Sequence, residues 1–199
     1  MKYLEYIIKM QSIAKIGLTF STDPYAIENY KLVQELSKEM LEKYTNQTIE
    51  KENYFIRDVY PTPNISARCL VIKNNKILLV RESVTQTYSL PGGWVDYYHS
   101  VADTAIEEVK QESGFDIKVA KVLAIFNNNN YFEKPISVSE TSIYFLAHII
   151  GGKAQISHET DDVAFFDLNN LPKMSSKTTK EQFEIIMDIY NNNKETYFE

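Results

Sequence analysis

The apolar pattern of this chain changes its period near two prolines, Pro61 and Pro63. Before them, apolar residues recur at helical spacing. After them, they alternate with a period of two, which is typical of half-buried strands. Residues 45–64 lose the helical period, and each proline restricts its predecessor to extended conformations. The sequence therefore predicts three regions: a helical hairpin over residues 1–45, a linker over 46–63 and an α+β domain over 64–199.

Composition narrows the possible classes of function. The 199 residues carry a net charge of −6, so an extended basic face for nucleic acid is not expected. No segment approaches the ~20 apolar residues of a membrane span, and charged residues interrupt the N-terminus, unlike a signal peptide. We therefore expect a cytoplasmic protein with no membrane partner. Cys69 is the only cysteine, which excludes an intramolecular disulfide and a cysteine-cluster zinc site.

Two amphipathic helices are predicted in the first region. The first carries an apolar stripe from Tyr3 and should end near Gly17. The second begins with Asp23 as N-cap and Pro24 at the first helical position, and its stripe reaches Tyr44. A hairpin of this size has little core of its own. Its apolar faces must therefore cover either the rest of the same chain or a second copy in a dimer.

The third region is predicted to hold strands around one capped helix. The strands should cover residues 65–72, 76–81, 116–126, 141–150 and 162–167, and a final helix should cover 179–190. Asn74 and Asn75 should form the first hairpin turn, because asparagine tolerates positive φ. The polar run Asn127–Asn130 predicts a mobile loop tip.

The stretch Leu90–Phe115 holds the residues that could do chemistry. It reads LPGGWVDYYHSVADTAIEEVKQESGF, a tight glycine turn followed by a helix from about Val101 to Ser113. Ser100 is a natural N-cap for this helix and Gly114 a natural C-cap. The two glycines of the turn let the main chain approach a ligand closely.

A carboxylate pair is expected on this helix. At ~100° per residue, Glu108 and Glu112 lie one turn apart at the edge of the buried stripe, whereas Glu107 points away. Two carboxylates beside a glycine turn could hold a hard cation such as Mg²⁺. The alternative is a solvated pair, because exposed glutamates at this spacing cost only about 0.2–0.5 kcal/mol.

The same stretch resembles the signature of the Nudix hydrolases, G-x5-E-x7-R-E-U-x-E-E-x-G-U, where U is a bulky aliphatic residue. The matching positions are Gly93, Glu108, Val109, Glu112 and Gly114. The resemblance extends over about residues 64–172. It implies a Nudix α/β/α sandwich with a mixed sheet, preceded by the small helical hairpin. The N-terminal region is similar to the helical extension of a bacterial Nudix subgroup. This similarity implies a homodimer, with the hairpin as either a dimerisation element or a part of the substrate site.

Three positions of the signature depart from the family pattern. His99, Glu107 and Gln111 stand where the family has glutamate, arginine and glutamate. In the family the first glutamate and the arginine can pair. We expect His99 and Glu107 to keep that contact with reversed polarity, the alternative being two unrelated surface residues. Because Gln111 is neutral, a second or third metal should bind more weakly.

The resemblance implies hydrolysis of a small nucleotide with Mg²⁺ or Mn²⁺ as cofactor. The substrate class of the subgroup is a nucleoside diphosphate linked to another moiety, including ADP-ribose and CDP-choline. The expected metal ligands are Glu108, Glu112 and the carbonyl of Gly92. The attacking water needs a base, either Glu112 or a carboxylate of the later acidic loop, with Glu159 the first choice and Asp162 the second.

Substrate contacts are predicted around the glycine turn. Arg68 and Arg81 could meet phosphate, and Tyr88 and Trp94 could stack on a base, although a surface or core role is the alternative for each. Two other functions stay open. One is a Nudix-fold nucleotide-binding or sensor protein that no longer catalyses, and the other is processing of RNA ends.

Overall fold

The structure is a computed structural model that describes residues 2–50, 63–132 and 140–199. The chain divides into two units, Met1–Pro61 and Thr62–Glu199, called here the N-terminal unit and the C-terminal unit. Most of the predicted linker, 46–63, lies outside the described residues. Within the described ranges, no helix has the length and apolar character required to cross a membrane.

The N-terminal unit contains two helices, α1 (Lys2–Phe20) and α2 (Pro24–Thr45). Asp23 caps α2 as predicted, since its Oδ1 accepts hydrogen bonds from the backbone N–H of Tyr25 at 2.8 Å and of Ala26 at 3.3 Å.

The prediction that α1 ends near Gly17 is wrong, because the helix continues to Phe20. Gly17 serves helix packing instead. A Cβ at this position would lie 2.4 Å from ring atoms of Tyr30 on α2, so the missing side chain lets the aromatic ring approach α1. A glycine in a helical pattern therefore marked a close helix–helix contact rather than a helix end.

The two helices bury few side chains between them. Ile7 and Ala14 are buried, together with Gln11 and Ser37, whose hydroxyl donates to Gln11 Oε1. Many large apolar side chains of both helices are exposed: Tyr3, Tyr6, Ile13, Ile16 and Phe20 on α1, and Tyr25, Leu32, Leu36, Met40 and Tyr44 on α2.

The C-terminal unit is a mixed sheet with two helices. The strands are β1 (Asn64–Lys73), β2 (Lys76–Glu82), β3 (Tyr88–Ser89), β4 (Gly92–Trp94), β5 (Phe115–Asn127), β6 (Glu140–Gly152), β7 (Thr160–Asp167) and β8 (Tyr197–Phe198). The helices are α3 (Val101–Ser113) and α4 (Lys180–Asn191). β1 pairs in parallel with β6 and antiparallel with β2 and β4, while β5 pairs antiparallel with β6 and in parallel with β8. β2 also pairs antiparallel with β3 and β7.

The two faces of the sheet bury two separate cores. On one face Ala67, Cys69 and Val71 of β1 pack with Ala105 and Val109 of α3. On the other face Leu70, Ile77 and Leu79 pack with Ile186 and Ile189 of α4. Alternate residues of β1 thus face different helices, as a period of two requires. The predicted α+β class, an α/β/α sandwich with a mixed sheet, is confirmed.

One loop prediction holds and another is wrong. Asn74 and Asn75 form the hairpin turn with φ of 51° and 60°. Asn128, within the run predicted to be a mobile tip, is only 2% exposed. Its Oδ1 accepts from Ser142 Oγ at 2.6 Å and from Gln182 Nε2 at 2.9 Å. This polar side chain is buried because β6 and α4 supply its hydrogen-bond partners.

Candidate active site

Helix α3 is fixed at both ends and on its inner face. Ser100 Oγ accepts from the backbone N–H of Asp103 at 3.1 Å, and Gly114 ends the helix in the left-handed region with φ 77°. Ala105 and Val109 are fully buried against the sheet. These contacts fix the rotation of α3, and with it the direction of the neighbouring Glu108 and Glu112.

Two glycines of β4 hold these carboxylates from the other side. The N–H of Gly92 donates to Glu112 Oε2 at 2.8 Å. Gly92 has φ +146°, and a Cβ there would lie 2.1 Å from the carbonyl oxygen of Ala67 on β1. At Gly93, a Cβ would lie 2.6–2.8 Å from the three carboxyl atoms of Glu108. The glycine pair therefore makes room for both carboxylates beside the sheet.

Glu112 is buried and Glu108 is partly buried. Glu112 is 7% exposed, and burial raises its pKa to about 7. Burial also raises the pKa of Glu108, and the nearby charge of Glu159 raises it further. A bound cation would favour the ionised form of both groups.

The donor set fits one hard cation rather than a preformed cluster. It consists of two carboxylates one helical turn apart and the carbonyl of Gly92, which are the oxygen ligands that Mg²⁺ and Mn²⁺ prefer. Across the parts of the chain that the structure describes, no group of three or more His, Cys, Asp or Glu side chains is arranged to hold a metal. A cation here would therefore need further ligands from water and substrate.

Arg68 supports the glycine turn from within the sheet. It is only 6% exposed, and its Nη1 donates to the carbonyl oxygens of Leu90 and Gly92, both at 3.1 Å. A carbonyl oxygen has two lone pairs, so the bond from Arg68 leaves the Gly92 carbonyl able to accept another contact. The guanidinium charge also counteracts the rise in the pKa of Glu112 that burial causes.

These groups line a cavity of about 530 Å³. Seven of the predicted site residues lie in its wall: Arg68, Gly92, Gly93, Trp94, Glu108, Glu112 and Glu159. Trp94 is 57% exposed. The cavity is large enough to hold much of a nucleotide.

Three residues that were predicted to contact substrate or to act as the base lie outside this wall. Arg81 Nε contacts Asp161 Oδ1 at 2.7 Å, and the hydroxyl of Tyr88 donates to Asp162 Oδ2 at 2.5 Å. β2 pairs Arg81 with Tyr88 of β3 and with Asp162 of β7, which brings Tyr88 and Asp162 to the same place. The register of β2 against β7 shifts directly after Arg81, where Asp161 has no paired residue on β2. Arg81 therefore pairs with Asp161, and Tyr88 pairs with Asp162, while none of Arg81, Tyr88 and Asp162 lines the cavity.

The three departures from the Nudix signature separate into two groups. His99 Nδ1 lies 3.1 Å from Glu107 Oε2, so the predicted contact is present. Gln111 is exposed on another side of α3. It lines a shallow surface pocket with Glu107, Lys110 and Asp116 instead of the cavity.

Five cavity residues were not predicted: Asn128, Phe132, Glu140, Ser176 and Lys177. Glu140 Oε1 accepts from Ser66 Oγ at 2.5 Å and from Asn128 Nδ2 at 3.1 Å. Lys177 Nζ lies 3.1 Å from Glu82 Oε1. No short motif contains these residues, because long-range strand pairing and the loop before α4 bring them to the cavity.

The family models match both units of the chain. The NUDIX domain matches residues 62–189, and the chain therefore belongs to the Nudix family and is a Nudix hydrolase. Residues 1–55 match the Nudix N-terminal domain that is described as a UDP-X-like, N-terminal oligomerisation domain.

Relatives with pyrophosphatase names resemble the chain over much or all of its length. It is 33% identical, over 100% of its length and 97% of the relative, to YjhB of Bacillus subtilis (strain 168), provisionally named an ADP-ribose pyrophosphatase. The crystal structure of a UDP-X diphosphatase superimposes with a TM-score of 0.68 and 28% identity, covering 100% of this chain and 98% of that one. An ADP-ribose pyrophosphatase from Streptococcus suis 89-1591 superimposes with a TM-score of 0.62 and 34% identity, over 69% of this chain and 100% of that one.

Proposed function

We propose that this protein hydrolyses the pyrophosphate bond of a nucleoside diphosphate linked to a second moiety, with a divalent metal as cofactor. ADP-ribose and CDP-choline are the type substrates. The products are a nucleoside monophosphate and the phosphorylated second moiety. One observation carries the proposal: Glu108 and Glu112 lie together in the cavity wall, where Gly92 binds the Glu112 carboxylate at 2.8 Å.

Glu108, Glu112 and the carbonyl of Gly92 would hold Mg²⁺ or Mn²⁺. Bound there, the cation would supply charge neutralisation of the phosphates and a lower pKa for the attacking water. The buried position of Glu112 strengthens any charge interaction that it makes, because little water screens it.

Glu159 takes the proton from the water that attacks phosphorus. Its carboxylate lines the cavity, and its negative charge contributes to the raised pKa of Glu108. The new P–O bond forms as the bridging P–O bond breaks, and the bridging oxygen leaves on the second phosphate. Glu112, with a pKa near neutrality, is the alternative base when it is not engaged by the cation.

Trp94 provides the surface on which a base could stack. Its indole is more than half exposed and lines the same cavity as the carboxylate pair. Aromatic stacking accepts several bases, which suits a substrate class defined by its pyrophosphate rather than by one nucleoside.

A substrate panel tests this function. The purified protein is incubated with ADP-ribose, CDP-choline, a UDP-sugar, nucleoside triphosphates and short RNA, first with Mg²⁺ and then with Mn²⁺. We expect release of the nucleoside monophosphate from at least one diphosphate-linked compound, identified by chromatography.

Two substitutions make the panel specific to the site. Glu112→Gln should lower the rate of monophosphate release about 10²-fold or more, because it removes a buried charge at the site of cation binding. Glu181→Gln, at an exposed carboxylate in the first turn of α4, is the matched control and should leave the rate unchanged. Binding of the panel without turnover would instead support a sensor protein, and release from RNA alone would support RNA-end processing.

We also propose that the protein forms a homodimer through the N-terminal unit. Leu32, Leu36 and Met40 follow one another at helical spacing on α2, and all three are exposed. A second copy would cover this apolar stripe. Sedimentation equilibrium should give twice the chain mass, Leu36→Glu should shift the protein toward monomer, and Lys31→Glu, a charge change at another exposed site of α2, should not.

A further inference from the structure

The cavity wall carries more negative than positive charge. Its described carboxylates are Glu108, Glu112, Glu140 and Glu159, and its described cations are Arg68 and Lys177. A pyrophosphate adds further negative charge to this wall. It therefore requires positive contacts beyond any cation held by the carboxylate pair of α3.

The two cations differ in what they can reach. Arg68 is buried, and its Nη1 already donates to the carbonyls of Leu90 and Gly92. The side chain of Lys177 is 47% exposed, and its Nζ contacts Glu82 Oε1 at 3.1 Å. An ammonium has three N–H donors, so a single ion pair leaves Lys177 with capacity for a ligand.

The backbone around Lys177 is fixed to the sheet. The N–H of Ser175 donates to the carbonyl of Tyr88 at 2.7 Å. The hydroxyls of Tyr144 and Thr178 are 3.0 Å apart, and Tyr144 is fully buried. Lys177 therefore extends from an anchored loop, so its ammonium can reach the cavity without rearrangement of the main chain.

Lys177 and the carboxylate pair line one cavity. The wall that contains Glu108 and Glu112 also contains Lys177. A phosphate bound in this cavity therefore meets a wall to which Lys177 contributes.

We propose that Lys177 is a substrate-binding residue whose ammonium contacts a phosphate oxygen of the pyrophosphate, while Glu82 orients it at the cavity. This inference rests on the proposed function and adds to it a phosphate contact supplied by the loop before α4. Because the contact is made with bound substrate and transition state alike, its loss should act on KM more than on kcat.

The test compares Lys177→Met with the wild-type protein on ADP-ribose and Mg²⁺. We expect KM to rise about 10- to 100-fold, the range for loss of one hydrogen bond to a charged group, with kcat changed by less than about threefold. Lys177→Arg should recover most of the affinity. Lys180→Met, which removes an equal charge from an exposed lysine at the start of α4, should have the KM of the wild type.

The ion pair with Glu82 gives Lys177 a structural role that must be separated from substrate binding. Removing the lysine alone leaves the carboxylate of Glu82 without this partner and should lower the melting temperature. The double variant Glu82→Gln/Lys177→Met removes both charges. It should recover the melting temperature while its KM stays high.

Product binding provides a readout that does not depend on turnover. Calorimetric titration with AMP and with ribose 5-phosphate, each with Mg²⁺, should show about tenfold weaker binding of at least one product to Lys177→Met, and identifies which phosphate is contacted. A wild-type protein that binds these products but hydrolyses nothing would refute the proposed function alone. Unchanged KM and unchanged affinity for both products in Lys177→Met would overturn the role of Lys177.

Discussion

The two units of the chain differ in how far they bury their apolar side chains. In the N-terminal unit, Ile7 and Ala14 are the buried apolar side chains among the described residues, while ten large apolar side chains are exposed. In the C-terminal unit, a sheet covered on both faces buries two full cores. The difference indicates that the C-terminal unit buries cores of its own, whereas the N-terminal unit exposes an apolar surface that the proposed dimer would cover. We therefore expect substitutions in the C-terminal unit to change activity, and substitutions in the N-terminal unit to change assembly.

After Glu112→Gln, the largest expected effect comes from Gly93→Ala. A Cβ at this position would lie within 2.8 Å of the Glu108 carboxyl group and would displace it. Displacement of a catalytic group by about 1 Å costs on the order of 10²-fold in rate, so kcat/KM for ADP-ribose should fall by about that factor. Sedimentation should show the same oligomer as the wild type.

The matched control is Gly151→Ala on β6. A Cβ at Gly151 would lie 3.2 Å from Asp116 Oδ2, on a partly exposed part of the sheet, and should change neither rate nor assembly. A Gly93→Ala variant with wild-type activity would contradict the geometry described for Glu108.

The next effect is the pH dependence of stability in the C-terminal unit. Burial raises the pKa of Glu112 from 4.5 to about 7. Below pH 4.5 the group is protonated in both the folded and the unfolded state. Between pH 4.5 and 7 the unfolded state ionises first, so the stability that Glu112 contributes is lost as pH rises through this window.

Thermal melts in EDTA measure this effect. The melting temperature of the wild type should fall relative to that of Glu112→Gln between pH 4.5 and pH 7, and Mg²⁺ should reverse the fall at pH 7 and above. If the melting temperatures of the two proteins change equally with pH across this window, Glu112 is not buried in its neutral form.

A smaller effect is expected from Ser37→Ala in the N-terminal unit. This substitution removes the hydroxyl that donates to the buried Gln11 Oε1, which should cost about 1–3 kcal/mol of unfolding free energy in this unit. Hydrogen exchange should show faster exchange in α1 and α2 and unchanged exchange in α3. Equal acceleration in both units would refute the division between them.

The smallest effect is expected at the pair of His99 and Glu107. Both side chains are partly exposed, so their interaction should be worth about 0.2–1 kcal/mol. The double variant His99→Glu/Glu107→Arg restores the residue order of the Nudix signature. It should be closer to wild type in stability than His99→Glu alone, which places two carboxylates together; additive effects would mean that the contact contributes nothing.

Local signals in the sequence predicted most of the helices and strands, the resemblance to the Nudix signature predicted the fold, and together they predicted seven of the twelve residues that line the cavity. The caps Asp23 and Ser100 fix helix starts through hydrogen bonds within three residues, and the Asn74–Asn75 turn depends only on backbone conformation. The carboxylate pair follows from helical spacing alone. Such features need no knowledge of distant contacts, which is why they could be predicted.

Features made by distant partners could not be predicted. Asn128 is a polar residue in a polar run, and only its bonds to Ser142 and Gln182 bury it. Gly17 lies within α1 and faces the ring of Tyr30 on α2, a contact that the sequence around Gly17 does not reveal. Lys177 reaches the cavity through the fold of the loop before α4. The short strands β3, β4 and β8 likewise have too few residues to show a period.

The central claim is that Glu108 and Glu112 hold a divalent cation in the cavity. Titration with Mn²⁺, followed by calorimetry in the absence of substrate, tests it on the wild type and on Glu108→Gln/Glu112→Gln. We expect Mn²⁺ to bind to the wild type and to bind at least tenfold more weakly to the double variant. Equal affinity in the two proteins, or no binding to the wild type, would contradict it.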